Sequence, residues 1–416
     1  MFNDVTRSHR RRAVITGIGV MCGPVAGVDQ FWDALTDPTP RPTFTRMENF
    51  NPRDWLDRRE VRHSVRFAQF GFAAATLATQ DSGLKPDQYA PERTSVVMGT
   101  GGGGGGASAI HELDNYRKYG PVGVSPLIGV RTMSNAGTAL IALNMKCTGE
   151  TQSIASGCAS GTHAMGHAMR LIQYGGAEMV YAGGAEVFYA PEDDERSTEL
   201  CDAMLAGLAN LRVLTTDATS RPFDKDRDGF VAADGAAVMI VEEYEAARAR
   251  GAQIYCEIVG YGNTNDATDL ISPRTDGEGL RQAMSIAVAD ADGVGTDVRL
   301  VNVHGTATHT NDVAECLATA NLCGTDPGPA IHSIKGLVGH SGAGAGAMES
   351  AAVALSISRG KIPHTAGLRE LDPDIVALGV DVVAGQPRDW TPGLSLSTSV
   401  SLGGHNGCIA MAPVTD

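Results

Sequence analysis

Between an extended run, Thr151 to Ala155, and a run carrying Ala, Met, Leu and Ile at helical spacing, Thr162 to Gln173, lie only the small residues Ser156-Gly157-Cys158-Ala159-Ser160-Gly161. A strand that turns into a helix through so narrow a corner places the thiol of Cys158 at the helix N-terminus. Unpaired N–H groups and the positive end of the helix dipole favour a thiolate there, and the flanking glycines let an acyl group approach. This is acyl-enzyme chemistry, and it makes Cys158 the candidate nucleophile. A lone cysteine is more often a small buried hydrophobe, so the assignment depends on partners elsewhere in the chain.

The same construction recurs later. Ile331 to Ile334 delivers Lys335, and Gly339-His340-Ser341-Gly342-Ala343-Gly344-Ala345-Gly346-Ala347 opens a small-residue helix reaching Ile357. Two central helices of this kind suggest an internal duplication, with a first half over 1–250 and a second over 251–416. A chain of 416 residues has room for both halves. Strands are expected at Ala13 to Val20, Thr94 to Met98, Met179 to Ala182, Ala236 to Val241, Tyr255 to Gly260 and Leu300 to Val303. Helices are expected at Gln30 to Leu35, Phe67 to Gln80 and Gly279 to Ala291. Their alternation predicts an α/β layered fold.

Composition narrows the function. No apolar run reaches the roughly 20 residues that cross a bilayer, and Arg7, Arg10, Arg11 and Arg12 lead straight into a strand without a signal-peptide core, so a cytoplasmic protein with no membrane partner is expected. The 8 cysteines show no CxxC pair or metal-ligand spacing, which predicts neither disulfides nor a metal site. A net charge of −15 argues against nucleic acid as a partner. The glycine run Gly101 to Gly106 follows a strand but lacks the Lys-Ser or Lys-Thr of a phosphate loop. The aspartates of Asp224-Lys225-Asp226-Arg227-Asp228 lack the closing glutamate of a calcium loop.

His304, at the end of a strand and before Gly305-Thr306-Ala307-Thr308, and His340, at a glycine turn, stand where catalytic groups gather. With Cys158 and Lys335 they resemble, in type and order, the beta-ketoacyl-[acyl-carrier-protein] synthases of the thiolase fold. The resemblance spans nearly the whole chain: VITGIG, the cysteine turn, AGGAE, SRPFDKDRDGFV, VNVHGTAT, IKGLVGHSGAGAGAMES and LGGHN.

That resemblance implies a layered α-β-α-β-α architecture and a decarboxylative condensation. Cys158 would hold an acyl chain, while His304 and His340 assist loss of carbon dioxide from a malonyl thioester and stabilise the enolate oxygen. It further implies that Lys335 organises His340, that Glu349 pairs with the lysine, and that Thr306 and Thr308 hold the pantetheine arm. Backbone N–H groups of Cys158 and Leu402 would form the oxyanion hole. Substrates would arrive on the phosphopantetheine of an acyl carrier protein, with no other cofactor, and the enzyme would be a homodimer.

The chain departs from the family at its gates. Ser401-Leu402-Gly403-Gly404 stands where G-F-G-G is usual, and Asp266-Ala267-Thr268-Asp269 replaces a loop ending in histidine, so Ser401, Leu402 and Asp269 are the expected gate residues. His309-Thr310-Asn311-Asp312 lacks a proline and a glycine, Val122-Gly123 replaces a basic pair at the carrier-docking face, and Glu192 to Glu199 reads as an acidic insertion. These changes keep an alternative open, an intramolecular aldol or lactonising cyclase that uses the same acyl-cysteine without an extender unit. A catalytically dead partner subunit fits less well, because the nucleophile is retained.

Overall fold

The computed structural model describes residues 10–85, 88–102, 106–190 and 195–415. Arg7, part of the glycine run and residues 192–194 of the expected acidic insertion lie outside the described residues; 195–199 form the first turns of a helix.

Among the described residues, ten strands of three residues or more carry the fold: β1 Ala13–Cys22, β2 Thr94–Gly99, β3 Thr151–Ile154, β4 Met179–Glu186, β5 Gly235–Glu243, β6 Cys256–Asn265, β7 Val298–Asn302, β8 Ala330–His332, β9 Leu394–Ser401 and β10 His405–Ala412. The main helices are α1 Val28–Thr36, α2 Arg66–Asp81, α3 Gly106–Tyr119, α4 Ala136–Met145, α5 Ser160–Gln173, α6 Glu195–Asn210, α7 Glu278–Asp290, α8 His309–Cys323 and α9 Ala345–Arg359. β1, β2 and β4 are buried along their whole length, which is why they read as continuous apolar runs and not as alternating ones.

The strands join edge to edge in the order β8-β7-β9-β10-β6-β1-β5-β4-β2-β3, with the two-residue strand Asp381–Val382 beyond β8. Outward from the middle, β1 pairs antiparallel with β5, β5 antiparallel with β4, and β4-β2-β3 run parallel. The other side repeats this pattern: β6 pairs antiparallel with β10, β10 antiparallel with β9, and β9-β7-β8 run parallel. The two arrays meet only where Ala13–Ile15 of β1 lies beside Cys256–Ile258 of β6.

That short seam lets the sheet fold around its two most apolar helices. α5 packs on β4 and β2 of one array and on β10 and β6 of the other, α9 packs on β5 and β9, and the two helices touch each other. α2 covers the outer face of β1 and β5, and α7, with α8 against it, covers β6 and β10. The order of layers is therefore helix, sheet, helix pair, sheet, helix, as in the thiolase fold. At the centre the helix backbones meet directly: a Cβ on Gly161 of α5 would lie 2.8 Å from the carbonyl oxygen of Ala343 and 2.8 Å from the nitrogen of Ala347. The small residues ahead of and within α9 are needed for this contact.

One boundary differs in a way that matters for chemistry. The small-residue helix begins at Ala345, so His340 sits five positions ahead of it. Its backbone is held instead by the neighbouring loop, with its N–H donating to the Val231 carbonyl at 2.8 Å and its carbonyl accepting from the Ala233 N–H at 3.0 Å.

Candidate active site

The turn before α5 is built by side chains as well as by glycine. Gly157 has φ +57°, in the left-handed region. The Ser160 hydroxyl donates to the Gly157 carbonyl at 2.6 Å and accepts from the Ser156 N–H at 2.9 Å. This presents the half-buried Cys158 to a cavity of about 300 Å³ lined also by His304, His340, Thr306, Thr308, Ser401 and Leu402.

His340 Nε2 lies 3.1 Å from Cys158 Sγ. The His340 ring stands edge to face against His304, with centroids 4.9 Å apart, and against Phe230 at 4.7 Å. Behind them the ammonium of Lys335, almost fully buried, reaches three acceptors: His304 Nδ1 at 3.0 Å, the His304 carbonyl at 2.6 Å, and Glu349. An ammonium has no lone pair, so His304 Nδ1 must accept, and the ring proton belongs on Nε2. Lys335 thus serves His304 directly, where His340 had been expected. Glu349 Oε2 also takes the Ser399 hydroxyl at 3.4 Å.

Electrostatics follow from burial and the lysine. Desolvation, with Lys335 adding to it, holds both His304 and His340 well below the usual imidazole range, so both rings are neutral at pH 7. Burial pushes Glu349 up, with Lys335 pulling the other way. The thiol of Cys158 is pushed up to about 11 by burial, only partly offset by Lys335 and by a hydrogen bond from Ser401. This corrects the expectation of a resting thiolate. The cysteine sits ahead of the first helical turn in a poorly solvated pocket, where desolvation outweighs the helix end.

One gate expectation changes, and the expected oxyanion donor has a partner in the protein. Asp269 is exposed, and its carboxylate accepts from the N–H groups of Ile271 at 2.7 Å and Ser272 at 2.8 Å, so it shapes its own loop and leaves the cavity wall to Ile271 and Pro273. The Cys158 N–H expected in an oxyanion hole donates to Ser401 Oγ at 2.8 Å. The hydroxyls of Thr306 and Thr308 lie 2.9 Å apart on the cavity wall, and Leu402, 46% exposed, stands at its mouth.

Three carboxyl groups near the site were not singled out from sequence. Glu315 of α8 accepts from the backbone N–H groups of His304 at 2.7 Å and Gly305 at 2.6 Å, fixing the turn that carries the histidine, and burial pushes it up to about 8. Glu186, the last residue of β4, takes the Gly102 N–H at 3.2 Å, lines the cavity and is pushed up to about 7. Asp312 accepts from the Phe223 N–H at 2.9 Å and is pushed up to about 6. The aspartate expected after HGTAT was the available signal for Asp312 alone.

Among the described residues, one grouping offers three potential metal-ligand atoms close together: Cys158, His304 and His340, all within 4.8 Å of one another. A thiol and two imidazoles suit a soft ion such as zinc, which would cap the sulfur.

This strand-turn cysteine with two neutral histidines and a buried lysine coincides with a family match along the chain. Residues 43–247 match the beta-ketoacyl synthase N-terminal domain and residues 255–369 its C-terminal domain. The chain belongs to the beta-ketoacyl synthase family. It is 35% identical to the 3-oxoacyl-[acyl-carrier-protein] synthase 2 of Vibrio harveyi over 98% of this chain and 100% of that one. It is 32% identical to the Synechocystis protein of the same description, over 97% of this chain and 98% of that one. Among solved structures, the ishigamide ketosynthase/chain length factor superposes with a TM-score of 0.87 at 27% identity, covering 98% of this chain and 100% of that chain. A beta-ketoacyl synthase from Burkholderia phymatum gives 0.84 at 28% identity, covering 97% and 100%. A type II PKS acyl-carrier protein in complex with its ketosynthase bound to the hexaketide gives 0.84 at 26% identity, covering 98% and 100%. As a beta-ketoacyl synthase the chain is a condensing acyltransferase of fatty acid or polyketide biosynthesis, and the cyclising alternative is not favoured.

Proposed function

We propose that Cys158 takes an acyl group from an acyl carrier protein as a thioester, and that His304 and His340 then direct decarboxylative attack of a malonyl-type carrier thioester upon it. The observation that carries this reading is the 3.1 Å contact between His340 Nε2 and Cys158 Sγ, with neutral His304 beside it. In the first step Sγ attacks the thioester carbonyl, its proton passes to His340 Nε2, and the carrier's thiol leaves with that proton. In the second, the malonyl carboxylate leaves as carbon dioxide while the enolate oxygen receives the Nε2–H of His304. The enolate carbon then attacks the acyl carbon, the C–S bond to Cys158 breaks, the departing thiolate takes up a proton from solvent to restore the resting thiol, and a chain longer by two carbons remains on the carrier.

Lys335 and Glu349 act here as positioning residues, Thr306 and Thr308 as donors to the pantetheine arm, and Leu402 as gate. Phosphopantetheine belongs to the incoming carrier, and the reading calls for no other cofactor. Met204, Leu208, Val213, Phe188, Ile271 and Val400 give the cavity apolar walls, which supports a reduced, hydrocarbon-like acyl chain.

The two mirrored strand arrays support a duplicated chain divided near residue 250. β3 is the sheet's terminal strand, with Thr151 and Gln152 exposed, and Leu113, Tyr116, Val130, Met133 and Leu143 are exposed on nearby helices and loops. Such an edge supports a homodimer in which β3 meets its copy. No described helix is long and apolar enough to cross a membrane, and a cytoplasmic location is part of this proposal.

The test supplies acylated enzyme with isotopically labelled malonyl carrier and follows carbon dioxide and product mass. One carbon dioxide per two-carbon extension is expected, and Cys158→Ala should gain no acyl mass. A cyclised product from the acyl chain alone, without carbon dioxide, would replace this reading with the cyclase.

A further inference from the structure

We propose that the Ser401 hydroxyl is a resident occupant of the oxyanion pocket, holding the Cys158 N–H in the free enzyme until a thioester carbonyl oxygen displaces it. The inference rests on the reading of Cys158 as the acylated nucleophile and adds to it a residue that sets the ease of loading.

The geometry is built from two sides. Ser401 is the last residue of β9 and is 8% exposed, and its Oγ accepts from the Cys158 N–H at 2.8 Å. On the other side Gly157, φ +57°, clears the space: a Cβ there would lie 2.2 Å from Ser401 Oγ. Any other residue at 157 would expel the hydroxyl. The Ser401 main chain is fixed, because its carbonyl accepts from the Gly404 N–H at 3.1 Å while Gly403 donates to the Leu270 carbonyl at 2.8 Å. Rotation about χ1 is therefore the available way for the oxygen to leave, and a serine has staggered alternatives.

A donor that stabilises an oxyanion must be free to meet the carbonyl oxygen as negative charge develops on it. In this site the donor is already taken by an oxygen tethered to the protein. Water would also fill an empty pocket, but a tethered hydroxyl pays less entropy to stay and is harder to displace. While the hydroxyl accepts from the Cys158 N–H it retains its own hydrogen, which also supports the Cys158 sulfur as it ionises. Loading thus requires one exchange: the carbonyl oxygen takes the N–H, the Ser401 oxygen turns away, the Sγ–C bond forms, and the carrier's C–S bond breaks with the thiol proton passing through His340 to the leaving sulfur.

The test compares two reactions of the same sulfur in wild type, Ser401→Ala and Ser401→Gly. Acylation by the octanoyl thioester of N-acetylcysteamine, followed by intact mass, needs the oxyanion pocket. Alkylation of Cys158 by iodoacetamide forms no oxyanion and reports thiol reactivity and folding alone. Both variants should acylate roughly three- to tenfold faster than wild type, the range expected for removing one neutral hydrogen bond, with alkylation unchanged or slower. Equal acylation rates would overturn the proposal. So would slower acylation with normal alkylation, since the hydroxyl would then be an oxyanion donor. A wild type that is alkylated at Cys158 but never acylated would instead remove the nucleophile assignment and the inference with it.

Discussion

Lys335 Nζ lies 3.0 Å from His304 Nδ1 while also pairing with Glu349, so a single buried ammonium both fixes the tautomer of the His304 imidazole and supplies the cation for the carboxyl behind it. These two duties separate under mutation. Lys335→Met leaves Glu349 buried without its cation, which should cost about 3–5 kcal/mol of stability by thermal or denaturant unfolding. Adding Glu349→Leu should recover most of that loss. Carbon dioxide release should stay depressed in the double variant, because nothing then holds the His304 proton on Nε2. Recovery of both properties together would mean that the lysine is purely structural.

Burial of Cys158 predicts its pH behaviour. With the thiol near 11, the logarithm of the iodoacetamide alkylation rate at Cys158 should climb without levelling between pH 7 and 9.5. A plateau near neutrality would show that a thiolate is already present at rest.

Glu186 couples stability to pH. Its carboxyl is pushed from an ordinary value of 4.5 to about 7 in the fold, so the native state holds a proton that the unfolded chain has released over that window. Its favourable contribution is present below pH 4.5 and is lost as pH rises to 7. Relative to Glu186→Gln, wild type should therefore lose up to about 3 kcal/mol between pH 4.5 and 7, from the unit-to-energy conversion for a pKa shift. Parallel stability curves for the two proteins across that window would contradict the shift.

The proposed dimer is checked by light scattering at micromolar concentration, where twice the 43.4 kDa chain mass is expected. Leu143, 71% exposed on α4, should sit in the interface, and Leu143→Arg should halve the observed mass. A monomeric wild type would rule the interface out.

Much of this was legible in the sequence because the site residues stand in short motifs at strand ends, at glycine turns and on a small-residue helix. Cys158, His304, His340, Lys335 and Glu349 converge as expected, and β1, β2, β5 and α2 fall within one or two residues of their expected bounds. What escaped was set by environment. The thiolate expectation weighed the helix end and could not weigh burial. Asp269 was placed at the gate by its motif position, yet its carboxylate is used by N–H groups two and three residues on. Glu186 and Glu315 were invisible as site residues because their partners are backbone N–H groups of Gly102, His304 and Gly305, which no side-chain pattern reports. Strand β4 ran on to Glu186 because its glycines are paired on both sides within the sheet.

The contact at Gly161 has a mechanical consequence. α5 and α9, which follow the thiol and its imidazole, rest on each other main chain to main chain. Side chains that re-pack act as springs between elements, and here the spring is missing. The main chains that carry the sulfur and the imidazole are thus braced by backbone, at Gly161 against Ala343 and Ala347 and at His340 by its hydrogen bonds to Val231 and Ala233. Changes elsewhere in the core can then widen or narrow the cavity while the main chains beside Cys158 and His340 stay where they are.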